Sequence, residues 1–152
     1  MDRIIIIAGS QSDLKTLEAA KPYLDFFGIK SEIKVLSAHR QHDELVTYIH
    51  QLDPAETRAI IACAGMAAHL PGVIAALTRI PVIGVPLDAS SLQGIDALYS
   101  IVQMPKGIPV ATMAIGKAGV INAVVFCARI LALHDSAMAE RLSEFHNRGS
   151  KL

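Results

Sequence analysis

Arg3-Ile4-Ile5-Ile6-Ile7-Ala8-Gly9-Ser10-Gln11-Ser12-Asp13 decides the fold of this 152-residue chain. Its apolar run, from Ile4 to Ala8, has no polar interruption. It reads as a strand buried on both faces, bounded by a glycine turn. Ser12 or Asp13 can then cap a helix running to about Phe27 and stopped by Gly28. A doubly buried strand followed at once by a helix is the start of an α/β chain with a parallel sheet.

The rest of the sequence repeats the unit. Strands are expected over 31–36, 58–64, 81–85 (closed by Pro86) and 109–114. Helices are expected over 43–52, 70–78, 93–101, 118–133 and 136–146. Asp53-Pro54 ends the second helix, and Pro71 opens the third. Right-handed crossovers favour a flavodoxin-like three-layer αβα fold with strand order 2-1-3-4-5. The length fits one domain over residues 1–152, closed by C-terminal helices. There is no internal repeat, low-complexity tract or linker.

Lys and Arg together number 14, as do Asp and Glu. A net charge of zero argues against a nucleic-acid partner, which needs a basic face. Hydrophobic residues reach 52% while charged residues are only 18%. So little charge implies more buried surface than one small globule holds, and therefore self-association. The 118–133 helix is apolar nearly all round, with Asn122 and Arg129 its strongly polar residues. One of its sides is expected to meet another subunit. The irregular stretch 99–109, with Pro105-Lys106-Gly107-Ile108-Pro109, reads as a constrained loop that could reach such a neighbour.

Cys63 and Cys127 lie far apart in apolar runs with no metal spacing, which reads as two buried thiols in a reducing cytoplasm. The N-terminal segment is too short and uncleavable for a signal peptide. The most membrane-like stretch, 107–128, is interrupted by Lys117, Asn122 and glycines. It reads as a core helix, so no membrane is expected.

Three clusters stand at strand ends, where α/β proteins bind ligands. In Gly9-Ser10-Gln11-Ser12-Asp13, helix-start amides and two hydroxyls suit a phosphate. Asp13 suits ribose hydroxyls, and ordinary helix capping is the competing reading. Ser37-Ala38-His39-Arg40 offers His39 as acid/base and Arg40 as a phosphate ligand, against an idle surface loop. Gly65-Met66-Ala67-Ala68-His69-Leu70-Pro71-Gly72 can hold a small flat group against exposed amides. His69 either orders that loop or touches substrate. In the expected strand order these ends are neighbours, so the clusters converge. The other histidines, His42, His50, His134 and His146, read as solvated.

GSxSD, SAHR, AAHLPG, PVIGVP, LYSIVQMP-basic-GIPV and AIGKAG-x-x-NA occur in order with compatible spacing. Together they resemble the N5-carboxyaminoimidazole ribonucleotide mutase (PurE) family, the catalytic subunit of phosphoribosylaminoimidazole carboxylase, over roughly residues 3–135. The resemblance implies conversion of N5-carboxyaminoimidazole ribonucleotide to 4-carboxyaminoimidazole ribonucleotide in de novo purine synthesis. A second branch of the family instead carboxylates aminoimidazole ribonucleotide directly with CO2. SAHR and AAHLPG look like the mutase branch. No cofactor is implied: no metal, ATP or biotin. A cytoplasmic homo-octamer is implied, with sites near subunit contacts and functional coupling to a carbamate-forming synthetase.

By motif position, Ser10, Ser12 and Arg40 would hold the phosphate and Asp13 the ribose. Ser37, Ala38 and His39 would sit at the aminoimidazole and its carboxylate. Gly65, Ala67, His69 and Leu70 would wall a pocket that retains CO2. His39 would assist loss of CO2 from nitrogen and then take the proton from ring carbon 4. Three residues depart from the pattern. Met66 and Cys63 replace usual glycines, and Asp88 stands at a usually uncharged loop position. A flavin carrier would share the fold, but no Trp, Tyr or Phe lies in the three loops. A phospho-accepting receiver module would need an aspartate ending strand three, where Ala62-Cys63-Ala64-Gly65 supplies none.

Overall fold

A computed structural model describes residues 3–152. Met1 and Asp2, part of the segment read above as lacking a signal peptide, lie outside it. Five strands form one parallel sheet in the order β2-β1-β3-β4-β5. They are β1 Arg3–Ala8, β2 Lys30–Val35, β3 Thr57–Gly65, β4 Val82–Leu87 and β5 Ala111–Thr112. The helices are α1 Leu14–Leu17, α2 Lys21–Phe27, α3 His42–His50, α4 Leu70–Leu77, α5 Ile95–Val102, α6 Lys117–Leu131 and α7 Ser136–Asn147. The flavodoxin-like strand order is the expected one.

The isoleucine run shows why the sheet lies in the middle. Side chains alternate along a strand. Ile4 and Ile6 therefore pack with Leu17, Phe27 and Val124 on one face. Ile5 and Ile7 pack with Leu45, Ile49 and Ile74 on the other. All four are essentially buried. Two hydrophobic cores result, one between the sheet and α1, α2, α6 and α7, the other beneath α3, α4 and α5.

Three local expectations are corrected. The helix expected up to Phe27 is broken: 3-10 turns at Gln11–Asp13 and Glu18–Ala20 flank α1, and α2 begins only at Lys21. Pro22 is the cause, because it has no N–H for the Glu18 carbonyl. The helix does stop at Gly28, which adopts a left-handed φ of 64°. Pro86 does not close β4 but lies inside it, opposite Ala64. Its carbonyl accepts from Gly116 N–H, so this proline faces the side where β5 has already ended. The fifth strand is two residues long rather than six. Its flanks follow β4 irregularly, Met113 N–H donating to the Gly84 carbonyl at 2.9 Å.

Helix α6 buries Val120, Ala123, Val124, Cys127 and Ala128. It approaches closely because Gly119 lacks a side chain; a Cβ there would run into the Ala114 carbonyl. The opposite side leaves Phe126 partly exposed, with Leu133 beyond the helix end 75% exposed. Helix α7 docks through Phe145 against Tyr23, Phe26 and Phe27. Asp135 caps it, accepting from the Ala137 and Met138 amides.

Candidate active site

The loops after β1, β2 and β3 meet above the C-terminal edge of the sheet and enclose a cleft of about 440 Å³. Each of the eleven residues expected at the site lines it: Ser10, Ser12, Asp13, Ser37, Ala38, His39, Arg40, Gly65, Ala67, His69 and Leu70. Gly9, Ala64, Met66 and Ala89 complete the lining. Ala89 comes from the loop after β4, a fourth strand end that sequence reading passed over. An alanine carries no chemical flag. Its position was nevertheless implied by the strand order, which sets the end of β4 beside that of β3.

The first loop is held by its own polar groups. Ser10 N–H donates to Asp13 Oδ2 at 2.9 Å, and the Ser10 and Ser12 hydroxyls lie 2.5 Å apart. Asp13 is only 6% exposed. Burial lifts its carboxyl above the ordinary value, and the Ser10 hydrogen bond offsets this only in part. The capping expected of Ser12 or Asp13 is corrected: Ser10 stands at the N-cap of the 3-10 turn, and the Asp13 carboxylate reaches back to the Ser10 N–H while lining the cleft.

The second loop is a tight turn. Arg40 N–H donates to Ser37 Oγ at 3.2 Å, and Gln41 N–H to the Ser37 carbonyl at 2.9 Å. Gln41 in turn bonds Glu44 at the start of α3. These bonds bury Ser37 and Ala38 and present His39 and Arg40 outward. Among the described residues no carboxylate pairs with the Arg40 guanidinium. It therefore stands as an uncompensated cation on a cleft wall, opposite two hydroxyls.

The third loop brings His69 to His39. The two nitrogens His39 Nε2 and His69 Nδ1 are 2.8 Å apart, with the rings edge to face. Ala64, Gly65, Met66, Ala67, Leu70 and Ala89 form the apolar side. A Cβ on Gly65 would lie 3.1 Å from that of Ala89, so the wall is closely packed there. Cys63 is fully buried beneath it, and burial pushes its thiol far above the range in which it could act as a nucleophile. Among the described residues no group of three or more His, Cys, Asp or Glu side chains is placed to hold a metal. Among the described residues no helix is long and apolar enough to cross a membrane.

The cleft is thus lined by two serine hydroxyls and an arginine, by the histidine pair and by small apolar side chains. The chain is 47% identical to the N5-carboxyaminoimidazole ribonucleotide mutase of Escherichia coli (strain K12) over 143 residues, covering 94% of this chain and 85% of that one. It is 50% identical to the protein of the same name from Pseudomonas aeruginosa over 140 residues, covering 92% and 86%. Among solved structures, Treponema denticola PurE superposes with a TM-score of 0.87 at 28% identity, covering 99% of this chain and 92% of that one. The sequence model of AIR carboxylase matches residues 3–151, beyond the stretch carried by the motifs, and the chain belongs to the AIR carboxylase family.

Proposed function

We propose that this protein is an N5-carboxyaminoimidazole ribonucleotide mutase of purine biosynthesis. The observation that carries the reading is the meeting of Ser10, Ser12, Arg40 and the His39–His69 pair in one cleft. The names of its relatives supply the substrate. Ser10, Ser12 and Arg40 grip the phosphate, Arg40 through its two-pronged guanidinium. Asp13 meets the ribose. Ser37, Ala38 and His39 adjoin the aminoimidazole, and Gly65, Ala67, His69 and Leu70 surround the carboxyl carbon.

The reaction balances without an oxidant. The N–C bond of the carbamate breaks, leaving CO2, and protonated His39 gives its proton to the nitrogen. Ring carbon 4 attacks the retained CO2, and His39 takes back the proton that carbon 4 loses. One residue serves as acid and then as base, a task suited to imidazole near neutral pH.

The oligomer and the setting belong to the same reading. Ile95, Tyr99 and Val102 form an exposed apolar stripe on α5, and Tyr99 is 71% exposed. This stripe and, separately, Phe126 and Leu133 on the α6 side of the sheet suit contacts between copies in a homo-octamer. The cytoplasm, and coupling to a carbamate-forming synthetase, complete the proposal.

The deciding assay offers both substrates. The carbamate without added bicarbonate should give product quickly, and the free amine with bicarbonate slowly. The reverse ranking would make the protein a direct carboxylase. No product from either would overturn the assignment.

A further inference from the structure

Gln41, next to the cleft, is a residue whose type its place in the helix does not explain. It stands at the N-cap of α3. Serine, threonine, aspartate and asparagine are preferred there, because a short side chain can accept from the first free amides. Gln41 makes no such bond. Glu44 follows three residues later, where a glutamate ordinarily reaches back to the N-cap N–H. That N–H already donates to the Ser37 carbonyl at 2.9 Å. The two side chains instead bond each other and the preceding turn. Ser37 N–H donates to Gln41 Oε1 at 3.3 Å, and Gln41 Nε2 donates to Glu44 Oε2 at 2.9 Å.

We propose that Gln41, braced by Glu44, is a positioning residue of the proposed reaction, fixing the Ser37–Arg40 turn so that the His39 ring stays within proton-transfer reach of substrate. The role rests on the mutase reading above. Ser37 is held at three atoms: its N–H by the Gln41 side chain, its carbonyl by the Gln41 N–H and its hydroxyl by the Arg40 N–H. Gln41 supplies two of these three bonds. His39 sits midway between the two anchors, and its exposed ring meets His69 through one bond, which leaves the backbone beneath it free to shift. Proton transfer needs hydrogen-bond reach, and a misplacement of about 1 Å can slow a reaction by up to ~100-fold. Arg40 has a longer, more flexible side chain with which to follow the phosphate. Loosening the turn therefore acts on turnover more than on binding.

Exchanging the two brace groups separates this role from simple support of the fold. Gln41→Ala removes the acceptor from the Ser37 N–H. Gln41→Glu sets two carboxylates against each other. Gln41→Glu combined with Glu44→Gln returns an oxygen to the Ser37 N–H and an amide to the carboxylate, with the net charge unchanged. Turnover of the carbamate at saturating substrate should fall roughly three- to thirty-fold in Gln41→Ala and in Gln41→Glu. In Gln41→Ala the affinity for product should change less than turnover does. The exchanged pair should return to within about two-fold of wild type, the coupling expected of groups in direct contact. Ring 15N NMR of histidine-labelled protein reads the brace without substrate. Wild type and the exchanged pair should share one pattern for the His39–His69 nitrogens, and Gln41→Ala should show another.

Wild-type turnover in Gln41→Ala would overturn the proposal. So would an exchanged pair no faster than Gln41→Glu alone, or a loss in Gln41→Ala carried wholly by affinity. Should Gln41→Ala fail to fold, the exchanged pair set against Gln41→Glu makes the same comparison. Absence of carbamate turnover by wild type is the distinct result that removes the mutase reading itself. The ring spectra then test the brace alone, and one pattern in wild type and Gln41→Ala would overturn it.

Discussion

His39 Nε2 and His69 Nδ1 share one hydrogen at 2.8 Å, although their loops leave strands that are not neighbours in the sheet. β1 lies between β2 and β3, a gap of about 9–10 Å at ordinary strand spacing. The two loops lean toward each other across its end. The bond leaves His39 Nδ1 and His69 Nε2 as the outward nitrogens. In the neutral pair one of these carries a proton and the other does not. His69 thus holds the His39 ring through one nitrogen and leaves the other, Nδ1, to exchange a proton. The arrangement suits His39 to give a proton to nitrogen and take back the one lost by carbon 4.

His39→Asn should therefore bind substrate and lose turnover by roughly 10²- to 10⁴-fold, the usual worth of acid–base catalysis. His69→Asn keeps an amide able to bond His39 and leaves the His39 imidazole in place, so its loss should be smaller. Single-turnover rates at saturating substrate measure both. A near-normal His39 variant beside a dead His69 variant would transfer the acid/base role to the loop after β3.

The strand order and the three loops were legible because each rests on a local signal. An apolar run ends, and glycine or a capping residue follows. Four features were not legible in that way. The break before Pro22 was masked by good helix formers on both sides of it. Pro86 was read as a stop because its missing donor matters only if a neighbour strand needs it, and the two-residue β5 does not. The His39–His69 bond depends on how far two loops lean, which is set by turn geometry and not by spacing. Ala89 shows the same limit, since its part in the wall comes from position alone.

Arg40→Ala should weaken substrate binding more than it slows bound substrate. Its guanidinium has no carboxylate partner among the described residues, so the substitution breaks no ion pair of the fold. A charged hydrogen bond to phosphate contributes roughly 1.5–3 kcal/mol. That corresponds to roughly ten- to more than a hundred-fold in affinity. Arg40→Lys should recover only part of it, because the two-pronged contact is lost. Calorimetric titration with substrate or product tests this, and an unchanged dissociation constant would move the phosphate elsewhere.

The apolar stripe on α5, with Phe126 and Leu133, predicts a stable homo-oligomer. Ile95, Tyr99 and Val102, at helical spacing on α5, are 46%, 71% and 45% exposed in the single chain, a state that isolated large apolar side chains tolerate but a contiguous stripe seldom does. Light scattering at micromolar concentration should give the mass of several chains, eight on the proposed reading. Tyr99→Glu should shift it toward smaller species. A monomer in the wild-type protein would remove the argument.

Asp13 predicts a pH dependence of known sign. Its carboxyl is raised from the ordinary 3.8, chiefly by burial, so the folded protein holds that proton more tightly than the unfolded chain does. The stability this provides is fully present below the unfolded value. It is lost as pH rises from 3.8 through the folded-state value. At neutral pH the fold therefore carries a buried charge that the Ser10 N–H only partly stabilises. Asp13→Asn retains an oxygen able to accept that N–H and removes the charge. The stability of the variant relative to wild type should increase from acid to neutral pH. Urea unfolding of both proteins across that range measures the difference. A relative stability that instead falls toward neutral pH would mean that the ionised carboxylate is held more strongly by its loop than burial disfavours it.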